Sequence, residues 1–215
     1  ADIEKANASV YLSSLSQTYN GSPKTATATT DPPGLVVNFT YNESSTAPVN
    51  AGNYTVVGTV NDTNYEGSAN GTLAIGKADQ TITFSSAQFS GLVYGDPDFL
   101  ISAEASSGLE VSFTSDGHCT VSGNTIHITG AGECTVTASQ SGDNNYNAAV
   151  DISHSFTVDK ATANISLSGL TFTYNGSAQY VMVTMDPPGV NYAVTYSRGG
   201  VPVENPVEAG SYAVQ

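Results

Sequence analysis

The residues of this 215-residue chain with reactive chemistry to offer are few: Cys119 and Cys134, His118, His127 and His154, and two acidic pairs, Asp96/Asp98 and Asp79/Asp159. Two cysteines can close a disulfide, stay as buried thiols, or join His118 at a metal. The metal option lacks further ligands, and the spacing fits no zinc pattern. Cys119 alternates with Val121, and "TIHIT" at 125–129 turns Ile126 and Ile128 inward and His127 outward. Two inward cysteines on neighbouring strands make the Cys119–Cys134 disulfide the expectation. Closing a loop of that length contributes about 3 kcal/mol and implies an oxidising, extracytoplasmic setting.

The remaining candidates are weaker. Asp96 and Asp98 in "YGDPDF" could serve as a paired acid and base, but the surrounding Gly and Pro mark a turn. Asp79 and Asp159 are the first candidates for calcium, yet no D-x-D-x-D or EF-hand loop is present. A G-x-S-x-G elbow, H-E-x-x-H and a phosphate-binding G-x-x-x-x-G-K-[ST] are all missing. No catalytic residue and no cofactor is therefore expected, calcium being the one alternative. Asn-x-Ser/Thr recurs at Asn7, Asn20, Asn38, Asn42, Asn53, Asn61, Asn70, Asn164 and Asn175. These are turn residues first, and glycosylation acceptors if the chain reaches a surface where that chemistry operates.

Composition narrows the partners. Nineteen acidic residues face five basic ones, for a net charge of −14. Five scattered cations cannot displace the counterions of a nucleic acid, and an anionic lipid surface repels the chain. No apolar run approaches the roughly 18 residues of a membrane span, so no insertion by this segment is expected. Any secretion signal is expected to have been removed or to lie upstream.

The elements that must hold these residues repeat. "TYNGS" stands at 18–22 and again at 173–177, and "DPPG" at 31–34 and 186–189. "AGNYTVV" at 51–57 answers "AGSYAVQ" at 209–215. A more distant middle copy carries "SSGLEVSF" against "PPGLVVNF", and "AGECTVTASQSGDNNYNAA" against "AGNYTVVGTVNDTNYEGSA". Cys134 takes the place of Tyr54 and Tyr212, which again points it inward. The recurring Lys-Ala at 5–6, 77–78 and 160–161 sets repeats at 1–77, 78–160 and 161–215, the last expected to be C-terminally incomplete. That leaves two readings of the third repeat: an excerpt of a longer array, or a strand supplied by a neighbouring chain.

Each repeat has period two: Tyr54, Val56, Gly58 and Val60 share one face, and Leu35, Val37, Phe39 and Tyr41 another. Alternation with Asn-Gly and Pro-Pro-Gly turns predicts short strands with one buried face. The fold class is all-β, a tandem of small antiparallel β-sandwiches, Ig-like or a grasp-like variant. Tyr19, Tyr54 and Tyr65 could stack on a sugar, but their recurrence favours packing, and Trp is absent.

The words "KA…LS.L..TYNGS", "DPPGL.V..TY" and "NAGNYTVV..VND.NYEGSA.GTL.I" resemble the MBG-type repeats of large bacterial surface proteins. The middle repeat is similar to the bacterial Ig-like repeats of the same proteins. The resemblance implies an extracellular all-β array in an adhesin, surface-layer or filament protein, and brings no catalytic residues with it. The expected function is a non-enzymatic structural or adhesive stalk at the cell surface. Its partners would be neighbouring repeats, copies of the same chain, or surface glycans and proteins, with no nucleic acid. The alternatives are a glycan- or protein-binding adhesin segment and an accessory module of a secreted polysaccharide-active enzyme.

Overall fold

The computed structural model describes residues 2–85 and 89–215. Strands and turns account for all the regular structure among them, with no helix. Two compact units emerge, one ending at Asp159 and the other running from Lys160 to Gln215.

The first repeat contributes β1 (Ala6–Asn7), β2 (Ser9–Ser13), β3 (Ser16–Thr18), β4 (Thr27–Asp31), β5 (Val37–Tyr41), β6 (Gly52–Val60), β7 (Tyr65–Glu66) and β8 (Ser68–Gly76). A four-stranded sheet runs β3-β8-β6-β5, and a β2-β4 pair supplies a second small sheet. Most pairs are antiparallel, but β3 runs parallel to β8 and β1 parallel to β7. Alternation places Leu73 and Ile75 of β8 in the core, 0% and 3% exposed, against Val56, Tyr41 and Ala26. Leu12 and Leu15 pack on the same cluster. Tyr41 pays for its buried hydroxyl by accepting a 2.9 Å bond from the Ala26 N–H, as a buried polar atom requires. The turn chemistry follows the sequence: Gly21 and Gly34 have φ of 78° and 89°, values that a side chain would strain.

The second repeat contributes β9 (Ile82–Phe84), β10 (Phe99–Leu100), β11 (Ala103–Ala105), β12 (Ser112–Gly117), β13 (Cys119–Ser122), β14 (Thr125–Ile128), β15 (Gly132–Ser139) and β16 (Ile152–Val158). The β12-β15-β16 sheet corresponds to β5-β6-β8, while the β13-β14 hairpin, joined by β10, fills the interval that is a loop between β5 and β6 in the first repeat. Cys119 and Cys134 are joined by a disulfide with a Cα–Cα distance of 5.6 Å. It ties β13 to β15 inside a cluster of Ile101, Ile126, Ile128, Val136, Phe156 and Val158. Phe89 stacks on Phe156 at 4.9 Å.

Residues 160–215 form β17 (Asn164–Ser168), β18 (Met182–Asp186), β19 (Tyr196–Arg198), β20 (Val201–Val203) and β21 (Ala213–Val214). The β17-β18 pair repeats β2-β4, and β20-β19-β21 repeats the β5-β6 side of the first sheet. Tyr196 reproduces the Tyr41 contact, accepting 3.0 Å from the Val181 N–H.

Replacing the disulfide by Cys119→Ser with Cys134→Ser should lower the unfolding free energy of the second repeat by about 3 kcal/mol. Denaturant unfolding with and without reductant measures this. An unchanged midpoint would show that the bond constrains nothing.

Candidate functional site

One local contact is built twice: its first copy lies within the first repeat, and its second also touches the first repeat from the second. In "DTNY" the Asp62 Oδ1 accepts from the N–H groups of Asn64 (2.7 Å) and Tyr65 (3.1 Å). In "DNNY" the Asp143 Oδ1 accepts from Asn145 (2.7 Å) and Tyr146 (2.8 Å). A carboxylate holding two backbone donors fixes an Asx turn. The Lys-Ala that opens each repeat then docks on that turn. Lys5 Nζ donates to the Asp62 carbonyl at 2.7 Å, and Lys77 Nζ to the Asp143 carbonyl at 2.5 Å. Ala6 pairs in parallel with Tyr65, and Ala78 with Tyr146. The matching N–H donations, Ala6 to Asn64 and Ala78 to Asn145, measure 2.8 and 2.9 Å.

Within the first unit, the second copy of this turn also grips the first repeat. Asn145 Oδ1 accepts from the Ala51 N–H at 2.9 Å, and its Nδ2 donates to Asn50 Oδ1 at 3.3 Å. Tyr146 sets its ring edge-on to Tyr19, with centroids 5.3 Å apart and planes at 83°. Such an aromatic pair adds about 0.5–1.5 kcal/mol beyond its buried area. Beside it lies a buried hub. Gln80 Nε2 donates to Gln140 Oε1 (2.8 Å) and to the Asn147 carbonyl (2.7 Å), and Ser107 Oγ donates to Gln80 Oε1. Gln80 is a buried polar residue with every side-chain group engaged.

The other sequence candidates lie apart from this joint. His127 is exposed on β14, with Nδ1 2.7 Å from Asp98 Oδ1. Asp96 Oδ2 accepts from the Val93 N–H at 2.8 Å, a turn role. His154 packs on Phe84, and the exposed His118 lies beside Gly130 and Gly132. Asp79 accepts from Asn147 Nδ2 at 2.8 Å, while Asp159 is held through its backbone to Leu92 and Tyr94. Among the described residues no three His, Cys, Asp or Glu side chains gather as a metal group would need. Asn7, Asn20, Asn38, Asn42, Asn53, Asn61, Asn70, Asn164 and Asn175 are all exposed. Asn20 and Asn175 use Oδ1 to cap turns, accepting from the N–H groups of Ser22 and Ser177, while Asn42 Oδ1 accepts from the Thr55 N–H of β6.

A shallow concavity of about 1,090 Å³ in the second repeat is lined by Glu104, Leu109, Glu110, Phe113 and Gln140 among others. Its one aromatic ring, Phe113, packs against Phe84, leaving no flat aromatic face for a sugar. Neither Asn145 nor Gln80 stands out by residue type. The signal for Asn145 was the recurrence of D-x-N-Y in the first two repeats, at 62–65 and 143–146. For Gln80 there was none beyond its place after that joint.

These features define an all-β chain in which a joint links the first two repeats. The MBG domain family matches residues 8–79 and 163–215, and the chain belongs to it. A solved structure to which the chain is similar is that of a SusE-like surface-located polysaccharide-binding protein from the Bacteroides thetaiotaomicron heparin utilisation locus. The identity is 12% and the TM-score 0.30, over 90% of this chain and 42% of that one. The chain thus spans less than half of that structure. No curated protein matches.

Asn145→Ala removes two hydrogen bonds across the joint and should cost about 1–3 kcal/mol. Calorimetry should show the first two repeats melting together in the parent chain and separating in Asn145→Ala with Tyr146→Ala. Asn64→Ala, at the equivalent exposed position, should leave that coupling intact. Loss of coupling from Asn64→Ala, or none from the double variant, would contradict the assignment.

Proposed function

We propose that this chain is a non-catalytic segment of an extracellular surface protein. Repeats at 1–77, 78–160 and 161–215 would be carried in series as a semi-rigid stalk or filament. The observation that carries this is the joint: the same Asp-anchored turn and Lys-Ala strand occur twice, and the Asn145 copy grips the repeat before it. A contact with directed hydrogen bonds fixes an angle between neighbours, whereas a Gly/Ser linker would leave it free. Membership of the MBG domain family and the Cys119–Cys134 disulfide support an extracytoplasmic setting.

The partners in this proposal are neighbouring repeats and copies of the same chain. A net charge of −14 favours solubility and discourages unspecific association, leaving contact to matched surfaces. The nine exposed Asn-x-Ser/Thr asparagines would be acceptors for glycans attached to the stalk, where the cell performs that reaction.

Small-angle X-ray scattering on the whole chain tests the stalk. A compact domain of this length has a radius of gyration of about 17 Å. The proposal expects a distinctly larger value with a rod-like distance distribution that is insensitive to salt. A value near the compact figure, or saturable binding to a glycan array at the second-repeat concavity, would overturn it.

A further inference from the structure

In each of the first two repeats the stretch that opens the repeat and the stretch that closes it lie side by side and point the same way. In the first, Ala6 and Asn7 pair in parallel with Tyr65 and Glu66, and Ser16, Gln17 and Thr18 with Ala74, Ile75 and Gly76. Between those two contacts the opening stretch crosses to the other sheet, where β2 pairs with β4. The second repeat follows the same plan. Ala78 bridges in parallel to Tyr146 and Val93 to Asp159, and β9 pairs with β11 in between. Backbone bonds fasten each contact. The N–H groups of Ala6 and Ala8 donate to the Asn64 and Glu66 carbonyls at 2.8 and 2.7 Å, Ala74 to Leu15 at 2.8 Å, and Tyr19 to Gly76 at 2.9 Å. In the second repeat Ala78 donates to Asn145, Asn147 to Ala78, Tyr94 to Asp159 and Asp159 to Leu92, all at 2.8 to 2.9 Å. Gly67 permits the close approach at the entry, since a Cβ there would collide with the Ala8 carbonyl oxygen.

We propose that this parallel pairing is a mechanical clamp, and that the first two repeats serve to bear tension along the chain. The proposal rests on the stalk reading, because only a chain held at both ends carries load. Direction decides the response to force. Tension enters a repeat through its opening stretch and leaves through its closing strand. Parallel neighbours pulled in this way slide past each other along their length, so their cross-strand bonds share the load and must fail together. Antiparallel neighbours would have both loaded ends on the same side and would unzip one bond at a time. The path between the two clamps has no slack. Gly76 ends the clamp of the first repeat and Ala78 begins that of the second, with Lys77 alone between them. Lys77 is itself fastened to the Asp143 carbonyl. The Cys119–Cys134 disulfide lies off this path, between the opening and closing stretches of its repeat.

The test is single-molecule force spectroscopy on the full chain, tethered by its two ends between marker domains. Each of the first two repeats should unfold in one step. The step of the second should lengthen by about 50 Å in reductant, as the loop closed by Cys119 and Cys134 is released, which tells the two repeats apart. Ala8→Pro removes the donor to Glu66, and Gly67→Ala pushes the opening stretch away from the closing one. At a fixed load each should speed unfolding of the first repeat at least about 10-fold. Val56→Ala, in the core and outside the clamp, should speed loaded unfolding less for the same loss of stability in denaturant. Early peeling of residues 6–18 as a separate step in the parent chain would overturn the proposal. So would loaded unfolding rates that track denaturant stability alike in all three variants. These readouts do not depend on overall shape. A compact scattering profile with one-step unfolding would count against the stalk alone, and an extended profile with peeling repeats against the clamp alone.

Discussion

Closure of a repeat depends on one strand being held on both sides. In the first repeat, β8 bonds antiparallel to β6 and parallel to β3, and drives Leu73 and Ile75 into the centre of the cluster. Fully burying two such side chains supplies about 3–6 kcal/mol, a large share of what a domain this small can muster. The strand also leads straight into Lys77, so its position sets where the next repeat starts. In the second repeat β16 has the corresponding place beside β15, with Phe156 and Val158 facing the core.

The joint is built from directed contacts. One carboxylate orders two backbone N–H groups, a lysine caps the turn's carbonyl, and an asparagine reads the backbone of the preceding repeat. None of these bonds is worth more than about 1–3 kcal/mol. Their value lies in geometry, since donors and acceptors that must align restrict the angle at which two repeats meet. Two of the five cations of the chain, Lys5 and Lys77, are engaged in this way. The acidic surplus is left to the surface.

Much of the fold was legible because alternation reports burial directly. Tyr54, Val56, Gly58 and Val60 face inward as their spacing predicts, and Gly21 and Gly176 adopt the positive φ that Asn-Gly turns call for. Cys134 is buried because it replaces a tyrosine on the inner face of β15. The parallel pairings of β1 with β7 and β3 with β8 were not legible, since periodicity fixes which face a strand buries and says nothing of its neighbour's direction. The joint was half legible. The recurrence of D-x-N-Y marked a conserved shape within the chain, but the grip of Asn145 on Ala51 spans 94 residues and leaves no local trace. Gln80 is the least readable of all, because a glutamine reads as surface until Gln140, Ser107 and Asn147 are seen around it.

Native-state hydrogen exchange, resolved by residue, tests closure by β8 within the first repeat. If the β8 strand is what completes the repeat, the amides of Tyr54 and Val56 exchange only through its global opening. In a Leu73→Ala, Ile75→Ala variant the same amides should exchange orders of magnitude faster. Equal protection in the parent chain and the variant would mean that the repeat closes without this strand.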